Sequence, residues 1–183
     1  KTYDGAPWSG GNGVTYSGFV GGEDQSVLGG TLAYGGDAQG AVNAGHYHIT
    51  PDGLTGGNYA INYVPGQLTV DPATLTVTGT TASDKVYDGT TAATLSGGTL
   101  TGIIGDDAVT LAEAGTFAST DVGTGIAVTA GDSLGGGDAA NYTLTQPTGL
   151  SADITPAPLT VTGKDATKTY DGAPWSGGNG VTY

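Results

Sequence analysis

The triplet Tyr-Asp-Gly occurs three times, at Tyr3-Asp4-Gly5, Tyr87-Asp88-Gly89 and Tyr170-Asp171-Gly172. An aspartate at three such places could act as a general acid or base, but that work needs a second carboxylate or a histidine within proton-transfer reach. No such partner accompanies the triplet at every copy. The alternative is structural: the Tyr buries its ring, the Asp accepts from its own backbone, and the Gly takes a positive φ to close a turn. We read all nine residues in that second way.

Other chemistry-bearing residues give equally plain readings. His46 and His48, two apart on an expected strand, share a face and could hold a metal between them, yet two ligands are too few for a closed site. No metal site is therefore expected. Asp106, Asp107, Asp132 and Asp138 stand near Gly-rich turns whose oxygens could meet around Ca²⁺. Their spacing fits neither an EF-hand loop nor the Gly-rich nonapeptide repeat, so no cofactor is expected, with Ca²⁺ as the alternative.

Trp8 and Trp175, each after a Pro, could stack on a sugar ring as a glycan contact; among so few large side chains, packing is the commoner use of a Trp. Asn141-Tyr142-Thr143 is a glycosylation sequon. The same Asn-Tyr pair recurs at Asn58-Tyr59 without the Ser or Thr, so the pair is read as serving the fold. Lys1, Lys85 and Lys168 each stand two before the Tyr, and no crosslink from them is expected. With no Cys, no nucleophile elbow and no phosphate-cradling loop leading into a helix, no enzyme is expected.

The elements that must position these residues are short strands. Val14–Val20, Leu28–Tyr34, Gly45–Ile49, Asn58–Tyr63 and Gln67–Val70 read as strands, with Gly, Pro, Asn and Asp filling the gaps. After Asp71-Pro72-Ala73, read as a hinge, comes Leu75-Thr-Val-Thr-Gly79, and then a run of strands to Ile154. A second hinge at Thr155-Pro-Ala-Pro158 precedes Leu159-Thr-Val-Thr-Gly163, the counterpart of Leu75 to Gly79. No window keeps helical apolar spacing over three turns, and no apolar run is long enough to span a bilayer. The expected class is all-β, built of sandwich modules.

Repetition orders the whole chain. Residues 1–16 return unchanged as residues 168–183, a spacing of 167 residues from Lys1 to Lys168. A weaker echo, Lys85-Val-Tyr-Asp-Gly89 against Lys1-Thr-Tyr-Asp-Gly5, divides that period into two unequal modules. The expected division is residues 1–71, 72–157 and 158–183, the last being the start of a further repeat. The first module lacks a Leu-Thr-Val-Thr-Gly strand before Lys1, and the last segment carries one with no module behind it. Residues 159–183 are therefore expected to complete a neighbouring copy, head to tail.

Seventeen acidic residues against four basic ones give a net charge of −13 among 183 residues. That balance argues against nucleic acid, whose phosphates need a basic patch. It also keeps neighbouring chains apart by repulsion.

Two sets of motifs carry a family likeness. Lys85-Val-Tyr-Asp-Gly-Thr-Thr91, Gly105-Asp-Asp107, Asp121-Val-Gly-Thr-Gly125 and Ala140-Asn-Tyr-Thr-Leu144 resemble a YDG-type bacterial module. Lys1-Thr-Tyr-Asp-Gly5, Gly45-His-Tyr-His-Ile49 and Gly57-Asn-Tyr-Ala-Ile61 resemble its companion, the MBG-type Ig-like module, with His46 and His48 departing from small polar residues usual there. The resemblance implies an extracellular stalk segment of a secreted, filamentous-haemagglutinin-like adhesin or biofilm-matrix fibre, exported by two-partner secretion. It brings no catalytic residues. The partners it implies are neighbouring repeats, with polysaccharide or a host surface met elsewhere on the parent protein. The competing function is a carbohydrate-binding module using exposed aromatics such as Trp8.

Overall fold

The computed structural model describes residues 1–175. They form an all-β, sandwich-like chain whose strands are β1 (Gly29–Gly35), β2 (Gly45–Thr55), β3 (Gly66–Val70), β4 (Ala73–Thr78), β5 (Thr81–Ala82), β6 (Lys85–Val86), β7 (Ala92–Ala93) and β8 (Leu95–Ser96). Then follow β9 (Thr99–Thr101), β10 (Thr110–Ala112), β11 (Gly115–Phe117), β12 (Gly123–Ala130), β13 (Ser133–Gly135), β14 (Tyr142–Thr145) and β15 (Leu150–Thr155). Among the described residues the only helical pieces are two 3₁₀ turns, and no helix is long and apolar enough to cross a membrane.

In the first half, β1, β2 and β3 make an antiparallel sheet, and the N-terminal residues add to it in parallel, Thr2 pairing with Asp71. In the second half a five-stranded sheet runs β6-β15-β12-β11-β7, and a three-stranded sheet runs β14-β4-β9. The alternation Ala73, Leu75, Val77 inward and Thr74, Thr76, Thr78 outward gives β4 one apolar face, as a period of two requires. It lies parallel to β14, with Leu144 opposite Leu75, and antiparallel to β9, with Leu100 opposite Val77.

Two apolar clusters hold the chain. One, in the second half, gathers Leu95, Phe117, Val128, Ala130, Ala152 and Ile154. The other joins Tyr3, Ala38, Ala41, Ile49, Leu68 and Val70 from the first half to Ala73, Leu75 and Tyr142 from the second. Each fully buried Leu or Val contributes about 1.5–3 kcal/mol. The structure therefore corrects the hinge expected at Asp71-Pro72-Ala73: Val70 and Leu75, on either side of it, are both buried in one cluster. One core crosses the boundary, beside the cluster that lies wholly in the second half.

Three expected strands are also absent. Val14–Val20 and Asn58–Tyr63 have no strand pairing, and neither does Leu159–Gly163, whose side chains are exposed. A strand is held by the ladder beside it, and among the described residues no strand pairs with these segments. Residues 159–175 do not fold back as a strand onto the second half; the rest of the expected C-terminal segment, 176–183, lies outside the described residues.

Candidate functional site

The Tyr-Asp-Gly turns share one construction. Lys1 Nζ donates to Asp4 Oδ1 at 2.6 Å and to the Ala6 carbonyl at 2.8 Å. Asp4 Oδ1 also accepts from the Ala6 N–H at 3.0 Å, and Gly5 takes φ 72° to turn the chain. The second copy repeats this with Lys85 on Asp88 Oδ1 at 2.8 Å and on the Thr90 carbonyl at 2.6 Å, and with Gly89 at φ 75°. In the third, Lys168 pairs with Asp171 at 2.6 Å and donates to the Ala173 carbonyl. Each lysine is thus a clasp that closes the turn over its own aspartate, and this role was not legible in the lysines' spacing alone.

These contacts hold the carboxyls down. The Lys85 ammonium, with the Thr90 backbone and side-chain donors, lowers Asp88 to about 2. Lys1 lowers Asp4 and Lys168 lowers Asp171 in the same way. Lys85 lies in addition 5.6 Å from the centre of the Phe117 ring, a cation–π distance.

The three tyrosines part company. Tyr3 is buried and meets Tyr142 edge to face, ring centres 5.5 Å apart. Both hydroxyls donate to Asp107 Oδ2, at 2.7 Å from Tyr3 and 2.6 Å from Tyr142. The Tyr142 oxygen also accepts the Ile104 N–H at 2.9 Å. Tyr3 therefore crosses into the second half and anchors the first half there. Its hydrogen bond to the Asp107 carboxylate, then burial and that charge, push the phenol up to about 12; burial and then Asp107 raise Tyr142. Phenols held protonated in this way serve as donors at neutral pH.

Tyr87 and Tyr170 do not bury their rings, which corrects the uniform reading of the triplet: Tyr87 is 43% exposed and Tyr170 93%. The reason is what stands opposite. Tyr3 faces Asp107 and Tyr142, and among the described residues nothing equivalent faces the other two.

Two further contacts seat the junction. Asn141 is buried; its Oδ1 accepts the Ala44 N–H at 2.9 Å and its Nδ2 reaches Asn43 Oδ1 at 3.3 Å. The sequon side chain is thereby occupied across the junction. Trp8 is half-buried against the shared cluster, its backbone bonded to Ala41 and Gly40. Its repeat equivalent Trp175 is 55% exposed.

The remaining candidates stay apart. Among the described residues no three His, Cys, Asp or Glu side chains gather closely enough to hold a metal ion. His46 lies 3.2 Å from Thr69 Oγ1, and His48 3.6 Å from Asp37 Oδ2. Of the aspartates weighed for Ca²⁺, Asp107 takes the two phenols, Asp138 accepts the Ala108 N–H, and Asp132 accepts the Ala114 N–H. The role of Asp107 as acceptor for two phenols was missed in reading the sequence, where it was weighed only among the aspartates of the Ca²⁺ alternative. The signal that could have found it is a matching acid 84 residues back, Glu23, which takes the hydroxyl of Tyr59 just as Asp107 takes that of Tyr142.

Comparison with known proteins bears on both halves. Neither a curated protein nor a solved structure matches the chain. Residues 3–69 match the family model of the MBG domain (YGX type), and residues 71–149 match that of the YDG domain. Such modules fit a structural or binding role. The two matches lie end to end, and the chain carries one MBG-type module followed by one YDG-type module.

Proposed function

We propose that the chain is a non-enzymatic structural segment: paired modules of the stalk of a secreted bacterial adhesin or biofilm-matrix fibre, acting outside the cell as a spacer. The observation that carries this reading is the junction. A tyrosine of one module is bonded inside the next, and one apolar cluster runs through both. Modules joined in that way transmit direction from one to the next, so repetition becomes reach, with nearest-neighbour contacts supplying much of the stability. The unchanged return of residues 1–16 as 168–183 supports an array of such pairs. Partners in this reading are the neighbouring repeats, and any receptor is met by other parts of the parent chain.

The test is length. Chains of two, three and four 167-residue repeats are compared by small-angle scattering; the maximum dimension should grow by a constant step per repeat. A dimension that stays nearly constant as repeats are added would sink the stalk reading. The half-burial of Trp8 against the core does not favour the sugar-stacking alternative.

A further inference from the structure

The YDG-type module contains a filled slot whose counterpart in the MBG-type module stands open. In the filled slot, β4 lies between β14 and β9, with Leu75 fully buried. The segment matching β9 at the 84-residue spacing is Thr15–Ser17, and the segment matching β14 begins at Asn58-Tyr59. These two segments have no strand pairing, and they line an open cavity of about 810 Å³. Tyr16, Phe19, Ile49, Tyr59 and Ile61 contribute its apolar wall. Val64 in its lining is 71% exposed, and Val20, next to Phe19, is 67% exposed.

Elsewhere the same chain displays an unused copy of the strand that fills the slot in the YDG-type module. Leu159-Thr-Val-Thr-Gly163 repeats Leu75-Thr-Val-Thr-Gly79 residue for residue, with Leu159 88% and Val161 83% exposed. At the end of β15 that leads into it, where Thr155 pairs with Val86 and Ile154 with Gly123, the residues Val86, Tyr87 and Val122 are also exposed. Tyr87 is the equivalent of Tyr3, and its N–H bonds the Thr155 carbonyl as that of Tyr3 bonds the Asp71 carbonyl. The receiving groups recur as well. Tyr59 donates to Glu23 and accepts the Val20 N–H, as Tyr142 donates to Asp107 and accepts the Ile104 N–H.

We propose that the open cavity of the MBG-type module is the docking site for Leu159–Gly163 of a second copy of this chain. The strand enters parallel to the segment starting at Tyr59 and antiparallel to Thr15–Ser17, and its Leu159 and Val161 side chains fill the cavity. Tyr87 of the donor then sets its hydroxyl on Glu23 beside Tyr59, reproducing the Tyr3–Asp107–Tyr142 contact. This inference rests on the array reading and gives it a specific joint. Backbone pairing supplies affinity and the two apolar side chains supply register, the usual division in strand addition.

The test uses the full chain carrying Leu159→Asp and Val161→Asp, which disables the donor and leaves the acceptor. Both residues are exposed, so the fold is preserved. A synthetic peptide of residues 156–165 is titrated into it at about 1 M salt, where a Debye length of ~3 Å mutes the repulsion between acidic chains. Saturable binding is expected, with NMR shifts confined to residues 14–23 and 58–64, and the peptide carrying both Asp changes should bind at least about tenfold more weakly. The unmodified chain should self-associate in sedimentation, the peptide should compete that association away, and Tyr87→Phe should weaken it several-fold. No saturable binding, shifts centred on other strand edges, or self-association indifferent to Leu159→Asp/Val161→Asp would each overturn the proposal. A multi-repeat chain that lengthens step by step while the peptide fails to bind would leave the stalk reading standing and remove this joint alone. Peptide binding with no step in length would do the reverse.

Discussion

The two modules contain the same slot in two conditions. In the YDG-type module β4 occupies it, Leu75 is buried, and the segments on either side are strands. In the MBG-type module the matching segments, 15–17 and the run from Tyr59, carry suitable residues and yet form no ladder. The difference teaches that strand propensity here is conditional. Val, Thr and Tyr favour a pleated, half-buried surface, and without the central strand that surface does not exist. A parallel contrast separates the tyrosines: the same triplet yields a buried anchor at Tyr3 and an exposed ring at Tyr87.

The largest effect should come from emptying the filled slot. Leu75→Ala is expected to cost about 2–5 kcal/mol, as for other fully buried leucines, while Leu159→Ala in the dilute monomer leaves the denaturant midpoint where it was. Equal effects would break the comparison. Next, Asp107→Ala leaves two phenols without their acceptor, at about 1–3 kcal/mol for each buried donor. Glu23→Ala, whose partner Tyr59 lies beside open solvent, should move the midpoint little. Urea unfolding of both variants reads the two together.

A subtler comparison uses the turn glycines. Gly5→Ala and Gly89→Ala both force an L residue to positive φ, at about 1–2 kcal/mol. At Gly5 the new methyl would also stand 3.1 Å from Ile104 Cγ2, whereas at Gly89 it meets nothing within 4 Å. Gly5→Ala should therefore melt the chain at the lower temperature. The same order in reverse would mean that the junction yields easily.

The pH dependence sharpens the contrast further. Tyr3 is raised from 10.0 to about 12, so its contribution is intact below pH 10. It is lost as the pH climbs from there through about 12, because the unfolded phenol ionises first. Tyr3→Phe should flatten that alkaline limb, and Tyr87→Phe should not. On the acid side Asp88 is lowered from 3.8 to about 2, so its contribution is present above pH 3.8 and disappears as the pH falls through about 2. Lys85→Met should shrink this smaller acid limb and leave the part due to the Thr90 donors, and salt also weakens the ion pair because it faces solvent.

Several features were legible in the residues because they are local. Asp-Gly with a positive φ at the Gly is turn chemistry at all three places, and alternating Leu-Thr-Val-Thr marks a strand with one apolar face. The exact recurrence of Lys1–Tyr16 marks the period. The clasping lysines, the pairing of Asp107 with two phenols and the loss of the Asp71 hinge were not legible. The last two depend on partners far along the chain, 104 residues away for Tyr3 and Asp107, whereas each clasp depends on a turn that brings a lysine onto the aspartate three residues on.

By itself, then, the sequence determined the all-β class, the repeat and the turns, since backbone preference and periodicity act over a few residues. Only the tertiary structure decided which Tyr is an anchor, which Leu-Thr-Val-Thr strand is paired and where the core runs. Burial is a property of two surfaces together, and identical residues end buried or exposed according to what stands opposite them.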